Sequence, residues 1–166
     1  ADMARFMIAQ LNLGSYGDAR ILQDETARTM QSRLWGADDR LNGWAYGFYE
    51  MNQNGHRVIG HGGDTRLFHS ILALLPAENV GLFVSYNTET NSMAPQNLLE
   101  LFMDRYFPEK PAELQTPLAD PAAHAASVAG SYRINRNVYT RAGKIDSLLQ
   151  PLVIQASKDG TLTIPT

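Results

Sequence analysis

The spacing of the apolar residues changes near Trp44 from a helical period to a period of two, and the run of residues 44–86 then leaves the chain few ways to fold. Trp44, Tyr46 and Phe48 alternate with Ala45, Gly47 and Tyr49. Asn52-Gln53-Asn54-Gly55 then supplies an Asn-Gly pair, which accepts the positive φ angles of a tight hairpin. Residues 56–61 read as the return strand, 67–75 as a third strand, 76–79 as a turn and 80–86 as a fourth strand. Links this short make all four antiparallel neighbours in a meander.

Helices flank this run on both sides. Met3, Phe6, Met7 and Leu11 recur at helical spacing, with Asp2 placed as N-cap and Gly14 as the C′ residue. A shorter helix is predicted over 24–34, with Asp24 as its cap and Ala27, Met30 and Leu34 on one face. Over 93–107, Leu98, Leu99, Leu101, Phe102 and Tyr106 give a broad apolar face that needs the sheet to cover it, and Pro108 stops the helix. The fold class expected is α+β: a four-stranded antiparallel sheet flanked by helices, followed by the start of a small all-β unit.

Residues 108–126 are rich in proline and alanine and read as a linker. Beyond them, 128–134, 138–145, 152–156 and 162–164 read as short strands, with Asp159-Gly160 turning the last pair. The expected organisation is a principal section over 1–107, the linker over 108–126 and a truncated β-rich appendage over 127–166. The opening Ala1-Asp2-Met3 runs straight into helical periodicity, and 161–166 stop within a strand-like pattern. The chain therefore reads as a section of a longer one.

Composition narrows the function classes. The 166 residues contain no cysteine, which removes disulfides, thiolate metal sites and cysteine nucleophiles. A net charge of −3 without a basic cluster gives no electrostatic basis for a nucleic-acid partner. No cofactor is implied, and the compartment cannot be read from the residues.

The stretch Gly60-His61-Gly62-Gly63-Asp64-Thr65-Arg66, between two strand-like runs, carries the chemistry. A phosphate loop would lead into a helix and carry Lys and Ser/Thr, whereas this one re-enters a strand. His61, Asp64 and His69 together would be a metal set, at no recognised ligand spacing. An α/β-hydrolase oxyanion loop would need a Gly-x-Ser-x-Gly elbow, which the chain lacks. A plain turn that needs glycines stays open on the loop alone.

The loop does not stand alone. In order come Asp2-Met3-Ala4-Arg5-Phe6-Met7, Ile21-Leu22-Gln23-Asp24-Glu25-Thr26, Tyr46-Gly47-Phe48, Gly60-His61-Gly62-Gly63, Phe68-His69-Ser70, Pro76, Asn79-Val80-Gly81-Leu82 and Asn87. Over residues 1–107 this ordered set resembles the C-terminal part of the serine β-lactamase and penicillin-binding-protein superfamily. The branch it most resembles is the class C-like one of esterases and D-aminopeptidases. That family builds its site from Ser-x-x-Lys, Tyr-x-Asn or Ser-x-Asn, and a Lys-Thr-Gly strand that is often His-x-Gly in this branch. His61-Gly62-Gly63 stands at the third element. Neither Ser-x-x-Lys nor Tyr-x-Asn occurs, and Ser85-Tyr86-Asn87 falls after the third element instead of before it.

The resemblance implies roles. The backbone N–H of Asp64 would be one of two oxyanion donors, the other being the nucleophile's own N–H. Gly62 and Gly63 would let substrate approach the strand edge, and Arg66 would meet a substrate carboxylate. His61, in place of the family's lysine, would act mainly through hydrogen bonds and favour ester, amide or peptide substrates. The implied partners are a small-molecule or peptide substrate and the N-terminal half of the same domain. Self-association is expected where that half is absent, and an extracytoplasmic, periplasmic location is suggested. The isolated chain would be inactive, a fragment of a hydrolase that cleaves β-lactam, ester or D-amino-acid amide bonds through an acyl-enzyme. The rival reading is a non-catalytic interaction module on a degenerate scaffold of the same kind.

Overall fold

Ile71-Leu72-Ala73-Leu74-Leu75 is apolar at consecutive positions, so both faces of the strand it forms must be covered, and the fold around it does this. The computed structural model describes residues 2–88, 93–109, 118–133, 145 and 151–165, and divides into two units, Ala1–Ala112 and Glu113–Thr166. In the first unit, helix α1 (Asp2–Leu11) leads through a two-stranded ribbon, β1 (Ser15–Tyr16) and β2 (Ala19–Arg20), to helix α2 (Asp24–Gln31). Next comes an antiparallel sheet in the spatial order β3 (Tyr49–Glu50), β4 (Ile59–Asp64), β5 (His69–Leu75), β6 (Val80–Tyr86), before helix α3 (Ala94–Tyr106). The α+β class and the four-stranded antiparallel sheet with helices are as the sequence indicates.

Register decides which residues share a face. Ile59 pairs with Leu74 and Asp64 with His69 across β4 and β5, while His69 pairs with Tyr86 and Leu75 with Val80 across β5 and β6. One face carries Ile71, Ala73 and Leu75 against Leu99 and Met103 of α3, joined by Met51 and Val58. The other carries Ile59, Leu72 and Leu74 with Ala45 and Phe48, against Met3, Phe6, Met7 and Leu11 of α1 and Met30 of α2. The sheet is thus filled between helices on both sides. On the outer side of α3, Leu101 and Tyr106 are exposed, with no cover among the described residues of this unit.

Several expectations change in detail: the return strand runs over Ile59–Asp64 rather than 56–61, and Gln23, not Asp24, stands at the N-cap of α2. Residues 44–49 do not run as one strand. Gly47 has φ +75°, Ala45 N–H donates to the Phe48 carbonyl at 2.9 Å, and the alternation is folded into a turn that leaves only Tyr49–Glu50 as strand. Helix α2 ends at Gln31 rather than 34, because Leu34 N–H is taken by the Trp44 carbonyl at 2.6 Å. The third strand starts at His69 rather than 67, since Leu67 and Phe68 belong to the hairpin tip. The Asn54-Gly55 hairpin forms as read, with φ +54° and +79° and a reciprocal pair of bonds between Gln53 and His56.

The segment between α2 and β4 is fixed by a buried ion network. The Glu50 carboxylate, 4% exposed, accepts from Arg33 at 3.3 Å, from Arg57 at 3.4 Å and from Gly43 N–H at 2.9 Å. Arg57 also donates to the Gln31 carbonyl at 2.7 Å, and Arg33 to the Asp38 carbonyl at 2.9 Å. On the outside of this loop, hydrogen bonds from Arg40 hold the pKa of the Asp38 carboxyl down to about 2.

In the second unit, helix α4 (Pro121–Val128) packs with a three-stranded antiparallel sheet in the order β7 (Gly130–Tyr132), β8 (Leu152–Ala156), β9 (Leu162–Thr163). Part of the stretch read as linker is therefore helical. Asp120 caps it by accepting from Ala123 N–H at 2.9 Å, and Pro121 suits the first helical position, where no donor is needed. The strand read over 138–145 lies outside the described residues except for Ile145.

Both tryptophans, Trp35 and Trp44, lie in the first unit, so their fluorescence in urea follows that unit alone. Leu99→Ala, which empties a fully enclosed site, is expected to lower its stability by about 2–5 kcal/mol. Glu50→Ala is expected to lower it by about 1–3 kcal/mol, since it removes the charged acceptor shared by Arg33, Arg57 and the Gly43 amide while the two guanidiniums keep contact with water.

Candidate active site

The residues singled out in the glycine loop lie along one strand and its hairpin. Thr65 N–H donates to the Phe68 carbonyl at 2.8 Å, and Phe68 N–H returns to the Thr65 hydroxyl at 3.0 Å, closing a turn with Arg66 and Leu67 at its tip. Because antiparallel bonding alternates residue by residue, Thr65, Gly63 and His61 direct their backbone groups toward β5. Gly60, Gly62 and Asp64 direct theirs the other way. On that side β3 reaches only Ile59 and Gly60, so the edge of β4 from His61 to Asp64 extends beyond its neighbour.

The outward groups of Gly62 are met by side chains. Its N–H donates to the Tyr49 hydroxyl at 2.6 Å, and its carbonyl lies 2.6 Å from His61 Nδ1. A carbonyl can only accept, so this contact assigns the ring hydrogen to Nδ1 and leaves Nε2 of a neutral His61 as the acceptor. The His61 and Tyr49 rings sit 5.3 Å apart, and Trp44 packs edge-on to Tyr49 at 5.7 Å. The next outward amide along this edge is that of Asp64, past both glycines.

The Asp64 carboxylate does not join that edge chemistry. It accepts from Nδ1 of His69, its register partner, whose side chain is 9% exposed. This pair ties the mouth of the hairpin together beneath the Asp64 amide. Among the described residues no group of histidine and carboxylate side chains could hold a metal ion, so the His61, Asp64 and His69 combination stays a pair plus an outlier.

The two glycines have different neighbours. A Cβ on Gly62 would stand 2.8 Å from the Tyr49 hydroxyl, and one on Gly63 would stand 2.6 Å from Ser70 Oγ. The space beside Gly62 is therefore held by the protein's own tyrosine. His61, Asp64 and Arg66 are exposed, so this corner faces outward rather than into the interior. A cavity of about 520 Å³ next to it is lined by Asn42, Tyr49, Asn52, Gln96, Glu100 and Asp104 among others; His61 through Arg66 lie outside it.

Tyr49 and the Asp64–His69 pair are the features that sequence reasoning missed. Tyr49 stands in the alternating run, but that spacing only gives a face and says nothing of a hydroxyl reaching an amide 13 positions on. His69 could have been found from hairpin register: with the turn fixed at Arg66-Leu67, positions 64 and 69 must oppose each other.

The Beta-lactamase family model matches residues 1–102. No curated protein matches the chain. Among solved structures, a crystal structure of SurE with D-Leu is similar at 18% identity and a TM-score of 0.47, covering 96% of this chain and 36% of that one. A second crystal structure of SurE is similar at 18% identity and a TM-score of 0.45, covering 96% of this chain and 35% of that one. The chain thus spans about a third of the length of these structures.

The His61 arrangement can be read directly by long-range ¹H–¹⁵N correlation. At a pH where the ring is neutral, the hydrogen is expected on Nδ1. A ring carrying it mainly on Nε2, the usual preference of a free imidazole, would show that the bond to Gly62 is not made.

Proposed function

The chain belongs to the Beta-lactamase family, and from that premise we propose that it is the C-terminal section of a serine hydrolase that works through an acyl-enzyme. Its part is to supply the substrate-binding strand and one oxyanion donor. The observation that carries this reading is the open edge of β4, along which the Asp64 amide is directed away from β5, just past His61 and the paired glycines.

Attack on an acyl carbonyl turns its oxygen into an oxyanion, and the reaction is fast only if donors already stand where that charge develops. In the proposed site the Asp64 N–H is one such donor, on a backbone held by pairing to β5 and by the Asp64–His69 contact. The second donor, the serine nucleophile and its lysine base come from residues beyond this chain, which has no Ser-x-x-Lys. His61 offers a neutral acceptor at the same edge instead of a fixed cation, which favours esters and D-amino-acid amides over β-lactams carrying a carboxylate. Arg66, at the hairpin tip, is the proposed contact for a substrate carboxylate. The H-x-G branch of esterases and D-aminopeptidases and an extracytoplasmic location go with this reading.

Two chains of different length test the proposal. The full-length protein, carrying an upstream Ser-x-x-Lys, is expected to hydrolyse p-nitrophenyl acetate, nitrocefin or a D-amino-acid p-nitroanilide, and the pure 166-residue chain to hydrolyse none of them. Turnover by the short chain would overturn its assigned role. A full-length sequence without Ser-x-x-Lys would leave a non-catalytic module. In the active protein, His61→Ala is expected to lower kcat/KM by roughly two- to tenfold, the worth of one hydrogen bond accepted from the substrate at about 0.5–1.5 kcal/mol.

The exposed edge of β4 and the uncovered side of α3 also support self-association of the isolated chain. Light scattering is expected to give a mass above 18.4 kDa that rises with concentration.

A further inference from the structure

An extended peptide that docks on a strand edge bonds to every second residue, with successive bonding positions about 6.8 Å apart along the strand. On β4 the outward positions are Gly60, Gly62 and Asp64. Gly60 is already paired with Tyr49 of β3. Gly62 has its N–H on the Tyr49 hydroxyl and its carbonyl at His61 Nδ1, both at 2.6 Å. Only Asp64 is left for a visitor.

We propose that Tyr49 is a specificity-determining residue: its hydroxyl occupies the Gly62 amide, shortens the usable edge to one residue, and restricts the site to compact acyl donors. This rests on the hydrolase reading and goes further by naming which substrates that site refuses.

The hydroxyl is not easily displaced. The Tyr49 backbone is held to Gly60, and the adjoining Glu50 is clamped by Arg33, Arg57 and the Gly43 amide. The ring is packed against Trp44 and His61, at 5.7 and 5.3 Å. Glycine at position 62 completes the arrangement, since any Cβ there would meet the hydroxyl at 2.8 Å. An extended acyl chain would have to break the Gly62–Tyr49 bond and swing the ring away, against all of these contacts. A short acyl group needs only the Asp64 amide and leaves the tyrosine in place.

The test compares the full-length protein with its Tyr49→Phe variant on two esters with one leaving group, p-nitrophenyl acetate and the p-nitrophenyl ester of N-acetyl-tetra-alanine. Phenylalanine keeps the ring contacts and frees the Gly62 amide. The preference for the acetate, as a ratio of kcat/KM values, is expected to fall roughly three- to tenfold, the worth of one hydrogen bond regained by the longer substrate. The change should lie in KM for the longer ester. An unchanged ratio, with the wild type turning over, would overturn the specificity role and leave the hydrolase reading intact. Absence of wild-type turnover would overturn that reading and this inference with it.

A second readout needs no activity. In the wild-type 166-residue chain, at a concentration where light scattering gives the monomer mass, hydrogen exchange at the Gly62 amide is expected to be slower than at Asp64, and to accelerate in Tyr49→Phe at an unchanged tryptophan-monitored unfolding midpoint. Equally fast exchange at both amides in the wild type would overturn the blocking contact itself.

Discussion

Glu50 is the group on which the organisation of the sheet edge depends. Its carboxylate is buried between two guanidiniums and a backbone amide, and these partners come from three separated stretches, at Arg33, Gly43 and Arg57. Taking a carboxylate out of water costs several kcal/mol, and the cost is offset only if the partners are correctly placed. A misplaced loop over 33–43 would leave the charge stranded, so the network acts as a condition on the geometry of everything between α2 and β4. Tyr49 is the adjoining residue, and through it the condition reaches Gly62 and the edge where substrate would lie.

The edge itself shows how backbone alternation divides labour. Groups facing β5 build the sheet, and groups facing outward are open to chemistry. Along β4 the outward positions are used up one after another, first by the short neighbouring strand, then by two side chains. The Asp64 amide comes last, at the point where the carboxylate of the same residue is drawn back toward His69. One residue thus serves the sheet with its side chain and the edge with its backbone. In the proposed site a charged side chain beside the developing oxyanion would oppose it, and the contact with His69 engages that carboxylate.

How much of this was legible depended on whether the signal was local. The Asn54-Gly55 hairpin, the third strand (read over 67–75 and found over 69–75) and the stop at Pro108 were readable because turn chemistry, period and proline sterics act within a few residues. The alternation over 44–49 misled, because Gly47 lets the backbone double back where a period of two suggests extension. The helix over 121–128 was hidden by its alanines, which read as linker composition although alanine is the best helix former, and Asp120-Pro121 gave a start signal. At the site, the strand and glycines were visible, whereas the Tyr49–Gly62 and Glu50–Arg33–Arg57 contacts join residues whose proximity exists only after folding. A buried carboxylate between two arginines leaves no mark in a sequence that distinguishes it from a solvated one.

Each strand of the main sheet lies next to the one before it in the chain, with no crossover among residues 49–86. Loops between neighbours are short, so little chain entropy is lost in closing each new pairing, and such low contact order is associated with rapid assembly. Both helices of one face, α1 and α2, are synthesised before the strands they cover. On a ribosome the meander could therefore zip onto a waiting apolar surface strand by strand. The helix over 94–106 would arrive last, to seal the opposite side.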